Sequence, residues 1–269
     1  MKNHPFAVAL LWVVAVVALV AVVAGRPRRQ TVKPLRLEHN GVHAPFNLRD
    51  KKGRLLVYNF RTVEPGVLYR GSGFPVNAAL KVGGVLRSAP AAFADGQVFN
   101  FMRAKRIRRI VSLEPPTQFY AEKSYFDLWS RRSGYAIEVV SRPVEGRLSY
   151  DRSAQGGLRA ATWFIEMMRD RKQGDGAVYL HDYSGKDSVG VIAAAYEMWR
   201  NRGRASDADL WRQVMERYLV SNTVIARDRE AARLAPRNDG CAVRGGPPLW
   251  VCPPLLETTH HDLQIIAQL

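Results

Sequence analysis

The sequence predicts an α/β domain with a mostly parallel central sheet flanked by helices. Apolar, strand-like runs alternate with amphipathic helical segments through the middle of the chain, an order typical of parallel sheets. The 269 residues are 47% hydrophobic, which is enough for one sizeable core. The chain shows no internal repeat, so we expect one α/β domain rather than a repeat array.

The first half of the domain is predicted to contain two short strands, a helix and a buried strand. In chain order these are strands at LLVYNF and GVLYRG, a loop over 76–93, a helix at DGQVFNFMRAKRI and a strand at RIVSL. The helix has helical spacing of its apolar residues, with Val98, Phe101, Met102 and Ile107 on one side. The continuous apolar run of RIVSL is typical of a strand buried on both faces.

The second half continues the alternation of helices and strands. In order we predict a helix at FYAEKSYFDLWSRRSG, a strand at YAIEVVSRPV, a helix at SYDRSAQGGLRAATWFIEMMRDRK, a strand at GAVYLH, a helix from about Ser188 and a helix at SDADLWRQVMERYL. The long helix places Leu158, Trp163, Phe164 and Met167 inward. Ser206 is a suitable N-cap for the last helix.

Composition divides the chain into five predicted parts. These are an N-terminal flank at 1–5, an apolar segment at 6–25, a basic linker at 26–54, the α/β domain at 55–220 and a C-terminal tail at 221–269. The linker prediction rests on basic and polar residues interrupted by Pro27, Pro34 and Pro45.

The apolar segment contains 19 residues, Phe6–Ala24, without a charge or a helix breaker. As a helix it would span about 28 Å, close to the thickness of the hydrocarbon layer of a membrane. One interpretation is a single-pass membrane anchor, and the other is a cleaved signal peptide with a weak cleavage site near Ala24. The length of the segment, and the RPRRQ that follows it, favour the anchor.

The membrane side of the domain stays open at this stage. Basic residues follow the apolar segment, and their position slightly favours a cytoplasmic location of the domain. Cys241 and Cys252 argue the other way if they form a disulfide, which would need an oxidising compartment. Two unpaired thiols are an equal alternative.

The net charge of +16 favours anionic partners such as phosphorylated ligands, anionic lipid or nucleic acid, although general solubility is an alternative explanation. The segment RAKRIRRIV is a candidate for lipid headgroups, or else an exposed, basic helix end. No RNA-binding signature accompanies it, so nucleic acid is disfavoured. His260, His261 and Asp262 lack further ligands at metal-binding spacing, so we expect no metal and no cofactor.

The segment VYLHDYSGKDSVGV has the shape of an anion-binding loop. An apolar strand enters a short turn with Gly185 and Gly190, and a helix follows, whose N-terminus favours anions. The turn contains an acid, Asp182, and no arginine. A negative charge inside an anion cradle requires an explanation.

Four segments together resemble bacterial tyrosine and dual-specificity phosphatases, which use a catalytic cysteine. In chain order they are NFRTVEPGVLYRGSGFP, FMRAKRIRRIVSLEPP, GYAIEVVSRPVEG and VYLHDYSGKDSVGV, and the similarity extends from about Asn59 to Leu219. The last is similar to the signature H-C-x-x-G-K-D-R-T-G, with five positions in register: His181, Gly185, Lys186, Asp187 and Gly190.

The resemblance implies a phosphate loop from which the family's chemistry has been removed. The loop comprises His181, Asp182, Tyr183, Ser184, Gly185, Lys186, Asp187 and Ser188. Asp182 stands where the family has its nucleophilic cysteine, and Ser188 stands where it has the arginine that binds two phosphate oxygens. The general acid of the family falls near Glu145, one residue early, or Asp151, several residues late. Glu145 is the better candidate of the two, but an ordinary solvated acid is the favoured interpretation of both.

We therefore expect Asp182 to occupy the cradle as an internal anion, with Lys186 pairing with it and Asp187 pointing outward. An aspartyl nucleophile at Asp182 is the alternative, but it would need a cation site that the sequence does not supply. The expected function is a membrane-anchored pseudophosphatase that acts by binding a protein partner or phosphoprotein. The alternatives are a phosphatase with residual or unconventional hydrolysis of phosphomonoesters, and a membrane-surface structural module.

Overall fold

The computed structural model describes residues 46–49, 53, 55–74, 96–144, 154–234, 251, 257 and 259–269. All of them belong to one unit, Pro34–Leu269. The strands of this part of the chain are β1 Phe46–Arg49, β2 Leu55–Glu64, β3 Leu68–Ser72, β4 Ile107–Ser112, β5 Glu138–Ser141 and β6 Ala177–Asp182.

The helices lie between and after these strands. They are α1 Gln97–Ala104, α2 Pro116–Ser133, α3 Ala154–Arg169, α4 Asp187–Asn201, α5 Asp207–Arg227, α6 Arg229–Leu234 and α7 His260–Ile266. Ser206 caps α5 as predicted, since its side chain accepts a hydrogen bond from the backbone N–H of Asp209.

The strands form one sheet in the order β1-β2-β3-β6-β4-β5. The pairs β3–β6, β6–β4 and β4–β5 are parallel, while β1–β2 and β2–β3 are antiparallel. The predicted α/β fold with a mostly parallel sheet is confirmed. Ser112 pairs with both His181 and Ser141, so β4, β5 and β6 end level at one edge, called the carboxyl edge below.

The core lies on both faces of this sheet because successive strand residues point to opposite sides. On β6, Val178 and Leu180 pack into a cluster with α3, α4 and α5, whereas Ala177 and Tyr179 pack into an aromatic-rich cluster with α1 and α2. Phe164 is fully buried, as the helical spacing predicts. The two-sided burial explains why β6 reads as a continuous apolar run.

The described fold extends beyond both predicted limits of the α/β domain. The strand β1 lies within the segment predicted as linker. It has only four residues, which is too short to show a clear alternation of apolar and polar side chains. The helix α7 lies in the predicted tail, and Leu263 and Ile266 are buried in the same core cluster as α4. His260 stacks on Trp211 with ring centroids 3.7 Å apart, so it packs against the domain instead of standing in solvent.

Some sequence predictions fall outside the described residues. These are the apolar segment Phe6–Ala24, the loop 76–93, the acids Glu145 and Asp151, and the thiols Cys241 and Cys252. Among the residues that the structure does describe, no helix is both long enough and apolar enough to cross a membrane.

Candidate functional site

The anion-binding loop predicted from the sequence lies at the carboxyl edge of the sheet. The strand β6 ends at Asp182 and α4 begins at Asp187, so four residues, 183–186, make the whole connection. In open α/β sheets ligands bind outside the carboxyl ends of the strands, and the N-terminus of α4 points its unpaired N–H groups toward this loop.

Side chains from β2 and β3 bind the carbonyl oxygens of the loop. Tyr58 donates its hydroxyl to the carbonyl of Tyr183 at 3.1 Å, and Asn59 donates Nδ2 to the carbonyl of Gly185 at 2.7 Å. Arg70 donates Nη2 to the carbonyl of Gly185 at 2.9 Å and to that of Lys186 at 3.3 Å. With its carbonyls bound by the sheet, the loop directs N–H groups to the opposite side, which is the arrangement of an anion-binding nest.

The scaffold beneath the loop is charged and strained. Arg61 and Arg70 are both buried, and burial lowers the pKa of each guanidinium below its ordinary value. Asn59 is buried with a φ of 54°, a left-handed conformation that asparagine adopts at a small energetic cost. These features place the amide of Asn59 and the guanidinium of Arg70 against the same carbonyl oxygen.

Gly185 has no space for a side chain. Its φ is 65°, and a Cβ built there would overlap the backbone of Gly71 on β3. Gly190 is similarly tight, because a Cβ there would overlap the ring of Tyr218. The loop therefore lies directly against β3, and α4 directly against α5.

The carboxylate of Asp182 occupies the nest. Its Oδ1 accepts hydrogen bonds from the backbone N–H of Ser184, at 2.9 Å, and of Gly185. Burial and the nearby Asp187 raise the pKa of Asp182, while the N–H groups of Gly185, Ser184 and Val189 lower it, and the pKa lies above its ordinary value. Two backbone donors of the loop are thus bound to a side chain of the loop itself.

Lys186 is buried, and its Nζ lies 3.1 Å from Oδ2 of Asp187. The pairing of Lys186 with Asp182 stays a prediction. Asp187 also accepts a hydrogen bond from the hydroxyl of Tyr218 at 3.1 Å, so it does not point outward as expected. An acid in the first turn of a helix is favoured by the helix dipole, which helps to hold Asp187 at this position.

The loop itself contains no arginine to replace the one that the family has at the position of Ser188. Ser188 is half-buried at the start of α4. The buried Arg70 contacts the loop, but its Nη2 is bound to the carbonyls of Gly185 and Lys186. Tyr183 is 38% exposed and Ser184 is buried, so the tyrosine is the loop side chain that faces solvent.

A buried cluster of titratable groups lies next to the loop, and it was not predicted from the sequence. His181 Nε2 lies 3.2 Å from Oε2 of Glu122, which also accepts a hydrogen bond from Ser112 at 2.9 Å. Burial lowers the pKa of His181, but the carboxylates of Glu122 and Glu114 outweigh it and raise the pKa overall.

Glu114 completes this cluster. Burial raises its pKa to about 8, His181 opposes the rise, and the charges of Asp182 and Glu122 add to it. Glu114 follows β4 and Glu122 lies on α2, so their convergence on His181 depends on the sheet. In the sequence, Glu122 could not be distinguished from a solvated acid on the surface of a helix. Within the described residues, no group of three or more His, Cys, Asp or Glu is placed to hold a metal ion.

A separate cavity of about 540 Å³ lies between the end of β5, α3 and α7. Arg142, Trp163, Glu166 and Ile265 are among the residues that line it. The guanidinium of Arg142 lies 5.3 Å from the ring centroid of Trp163. None of the lining residues belongs to the loop, so this cavity is distinct from the nest.

Comparison with known proteins gives structural similarity only. No protein-family model matches the chain, and no curated protein matches it. Similar solved structures are phosphatases of the tyrosine and dual-specificity type, at low sequence identity.

Three of these structures illustrate the similarity. P. aeruginosa TpbA is 14% identical, with 86% of this chain and 100% of that chain covered and a TM-score of 0.41. The core catalytic domain of the PP-IP phosphatase SIW14 from S. cerevisiae is 15% identical, with coverages of 65% and 90% and a TM-score of 0.37. PTPMT1 is 11% identical, with coverages of 78% and 96% and a TM-score of 0.36. At such identities the function has to be argued from the residues of the loop.

Proposed function

We propose that this chain is a phosphatase-like protein that acts by binding and does not turn over phosphomonoesters through its signature loop. The observation that carries the proposal is the pair of hydrogen bonds from the N–H groups of Ser184 and Gly185 to Oδ1 of Asp182. Two like charges 4 Å apart repel by roughly 4 kcal/mol at an effective dielectric of 20. An ionised Asp182 therefore opposes a phosphate at the same donors.

The chemistry of the loop supports the same proposal. Catalysis by a cysteine phosphatase needs a thiolate nucleophile and a bidentate arginine, and Asp182 and Ser188 provide neither. Two further polar groups of the loop have structural partners, since Lys186 pairs with Asp187 and the carbonyl of Gly185 binds Arg70. The proposed role is thus recognition of a protein partner or phosphoprotein by a surface that the folded domain presents.

We also propose that the domain is anchored in a membrane by the segment Phe6–Ala24. Support comes from the sequence: 19 residues without a charge, followed by a basic stretch. Alkaline carbonate extraction of membranes from cells that produce the full chain tests this. The anchored protein stays in the membrane pellet, whereas a cleaved, released domain appears in the supernatant.

Thermal unfolding with orthovanadate tests the occupied nest. At pH 8 we expect orthovanadate to leave the melting temperature of the natural chain unchanged and to raise that of Asp182→Ser, whose nest is free. Asp207→Ser is the matched control, because it removes an exposed acid from α5 and should not create a vanadate response. Stabilisation of the natural chain by vanadate at pH 8 contradicts the proposal.

A turnover assay with an aryl phosphate tests the absence of catalysis. We expect no hydrolysis above that of the Asp182→Ala variant. Hydrolysis that Asp182→Ala abolishes would establish the aspartyl route at the loop. Hydrolysis that survives this substitution would place an active site elsewhere in the chain.

A further inference from the structure

The end of the sheet opposite the loop concentrates positive charge. The connections α1–β4, α2–β5 and α3–β6 all lead into parallel strands, so they lie together at the amino ends of β4, β5 and β6. Basic side chains lie in the α1–β4 and α3–β6 connections and in the last turns of α1 and α2. Six of them define what we call the basic end: Arg103, Lys105, Arg106, Arg131, Arg132 and Lys172.

Direct contacts join the three connections into one surface. The guanidinium of Arg108, at the start of β4, lies 3.6 Å from the ring centroid of Tyr135 in the α2–β5 connection. Arg108 also donates to the carbonyl of Ala136 at 3.2 Å. On its other side it contacts Gly176 of the α3–β6 connection, whose neighbour Ala177 donates its N–H to the carbonyl of Arg106 at 2.8 Å. The basic residues are therefore neighbours in space.

The acids at this end of the sheet already form ion pairs or hydrogen bonds. Glu138 pairs with Arg109 at 2.7 Å, and Asp170 lies 3.6 Å from Arg169. Asp175 accepts a hydrogen bond from the backbone N–H of Lys172 at 2.8 Å. In contrast, the side chains of Arg103, Arg106, Arg131 and Lys172 are exposed and form no ion pair within the described residues.

Helix dipoles explain only part of this charge. One basic residue in the last turn of a helix is enough to favour the negative end of its dipole, and Arg103 on α1 and Arg131 on α2 do this. Lys105 and Arg106 lie in the turn beyond α1, and Lys172 lies beyond the end of α3. Their positive charge remains available to a partner.

We propose that the basic end docks onto the surface of an anionic phospholipid bilayer. The cations surround three neighbouring turns at one end of the sheet, and a broad basic surface of this kind suits an array of lipid phosphates. The aromatic rings here already have cations over them: Lys105 over Phe101, Arg132 over Trp129 and Arg108 over Tyr135. Bases of single-stranded nucleic acid need free aromatic faces for stacking, so lipid headgroups are the better match.

Vesicle binding by the full chain tests this surface. The probes are vesicles of phosphatidylcholine alone and of phosphatidylcholine mixed with phosphatidylglycerol, at low and high salt. The triple variant Arg103→Glu, Arg131→Glu, Lys172→Glu changes one exposed residue on α1, one on α2 and one in the α3–β6 connection. We expect it to lose about 100-fold or more of the binding to the anionic vesicles at low salt.

A second triple variant matches the change in net charge. Arg159→Glu, Arg227→Glu, Arg229→Glu alters exposed residues on α3, α5 and α6, outside the basic end. We expect it to bind anionic vesicles within about threefold of the natural chain, because charges beyond a Debye length from the lipid are screened. The apolar segment and the basic linker are common to all three proteins, so a difference in binding between the proteins comes from the substituted residues.

The outcomes separate the alternatives. Loss confined to the basic-end variant, with an unchanged melting temperature, supports the docking surface. Equal losses in both variants would show that net charge alone attracts the chain, and no loss in either would show that the basic end is not used; each overturns the proposal. Tighter binding of a short single-stranded oligonucleotide, abolished by the basic-end variant, would assign this surface to nucleic acid and also overturn it.

Discussion

Arg70 holds Gly185 in place: the buried guanidinium donates Nη2 to the carbonyl oxygen of Gly185 at 2.9 Å. The two residues are 115 positions apart in the chain, and the sheet brings them together. The contact turns the loop so that the N–H of Gly185 points to the carboxylate of Asp182. The shape of the nest therefore depends on a residue of β3 as much as on the loop itself.

The first prediction concerns Arg70→Met. It leaves the carbonyl of Lys186 without this donor, so we expect the free energy of unfolding to fall by about 1–3 kcal/mol in urea. In an Asp182→Ser background the same change should abolish the vanadate-induced rise in melting temperature. Arg227→Met, which removes an exposed arginine from α5, should do neither. An undiminished vanadate response in Arg70→Met, Asp182→Ser would show that the nest forms without Arg70.

The second prediction concerns Gly185→Ala. The added methyl group meets the backbone of Gly71, and the φ of 65° strains any residue with a Cβ. We expect a loss of stability of roughly 3 kcal/mol or more, of which about 1 kcal/mol reflects the positive φ. Gly66→Ala measures that part alone, because Gly66 has a φ of 71° and open space around it. Equal losses for the two variants, by urea unfolding, would mean that the close packing of Gly185 contributes nothing.

The third prediction concerns pH and Glu114. The unfolded chain releases this proton above about pH 4.5, whereas the folded chain keeps it to about pH 8. The folded state therefore binds more protons across this window, and stability falls as the pH rises through it. The shift corresponds to a loss on the order of 5 kcal/mol.

Glu114→Gln should remove most of this fall, since the amide does not titrate. His181 and Asp182 also have raised pKa values and contribute in the same direction, so a weaker slope should remain. Urea unfolding between pH 5 and pH 8.5 measures both slopes. Identical slopes for the natural chain and Glu114→Gln would show that Glu114 is ionised in the folded protein at neutral pH.

The fourth prediction concerns anion binding and the charge of Asp182. Because its pKa is raised, Asp182 becomes neutral at a less acidic pH than an ordinary aspartic acid. Sulfate keeps its charge in mild acid, so its stabilising effect on the natural chain should grow as the pH is lowered. Asp182→Ser should respond to sulfate with much less dependence on pH. Thermal unfolding measures both, and parallel pH profiles for the two proteins would argue against Asp182 as the controlling group.

The order of strands and helices could be predicted from the sequence because apolar spacing records which faces are buried. The strand GAVYLH and the turn after it lie where predicted, at Ala177–Asp182 and 183–186. The groups that shape the nest could not be predicted, since Tyr58, Asn59 and Arg70 reach the loop across more than 100 positions. Their roles depend on the order of strands in the sheet, which local patterns do not encode.

The charges beneath and beside the loop were harder to predict for a related reason. Glu122 is fully buried on a helix whose sequence reads as amphipathic and exposed, and its partner His181 comes from β6. Lys186 pairs with the adjacent Asp187, a partner that charge alone did not single out. Pairing of this kind is decided by side-chain direction at the first turn of α4, and a sequence does not specify that direction.

The carboxylate of Asp182 is attached to the same short loop as its two N–H donors. A tethered group of this kind has an effective concentration of millimolar or higher at its site, which dilution in the cell does not change. A free anion competes with it by mass action and starts from a disadvantage. A partner that opens the nest would therefore act by moving the loop or by neutralising Asp182. The nest would respond to such a partner more readily than to the concentration of free phosphate.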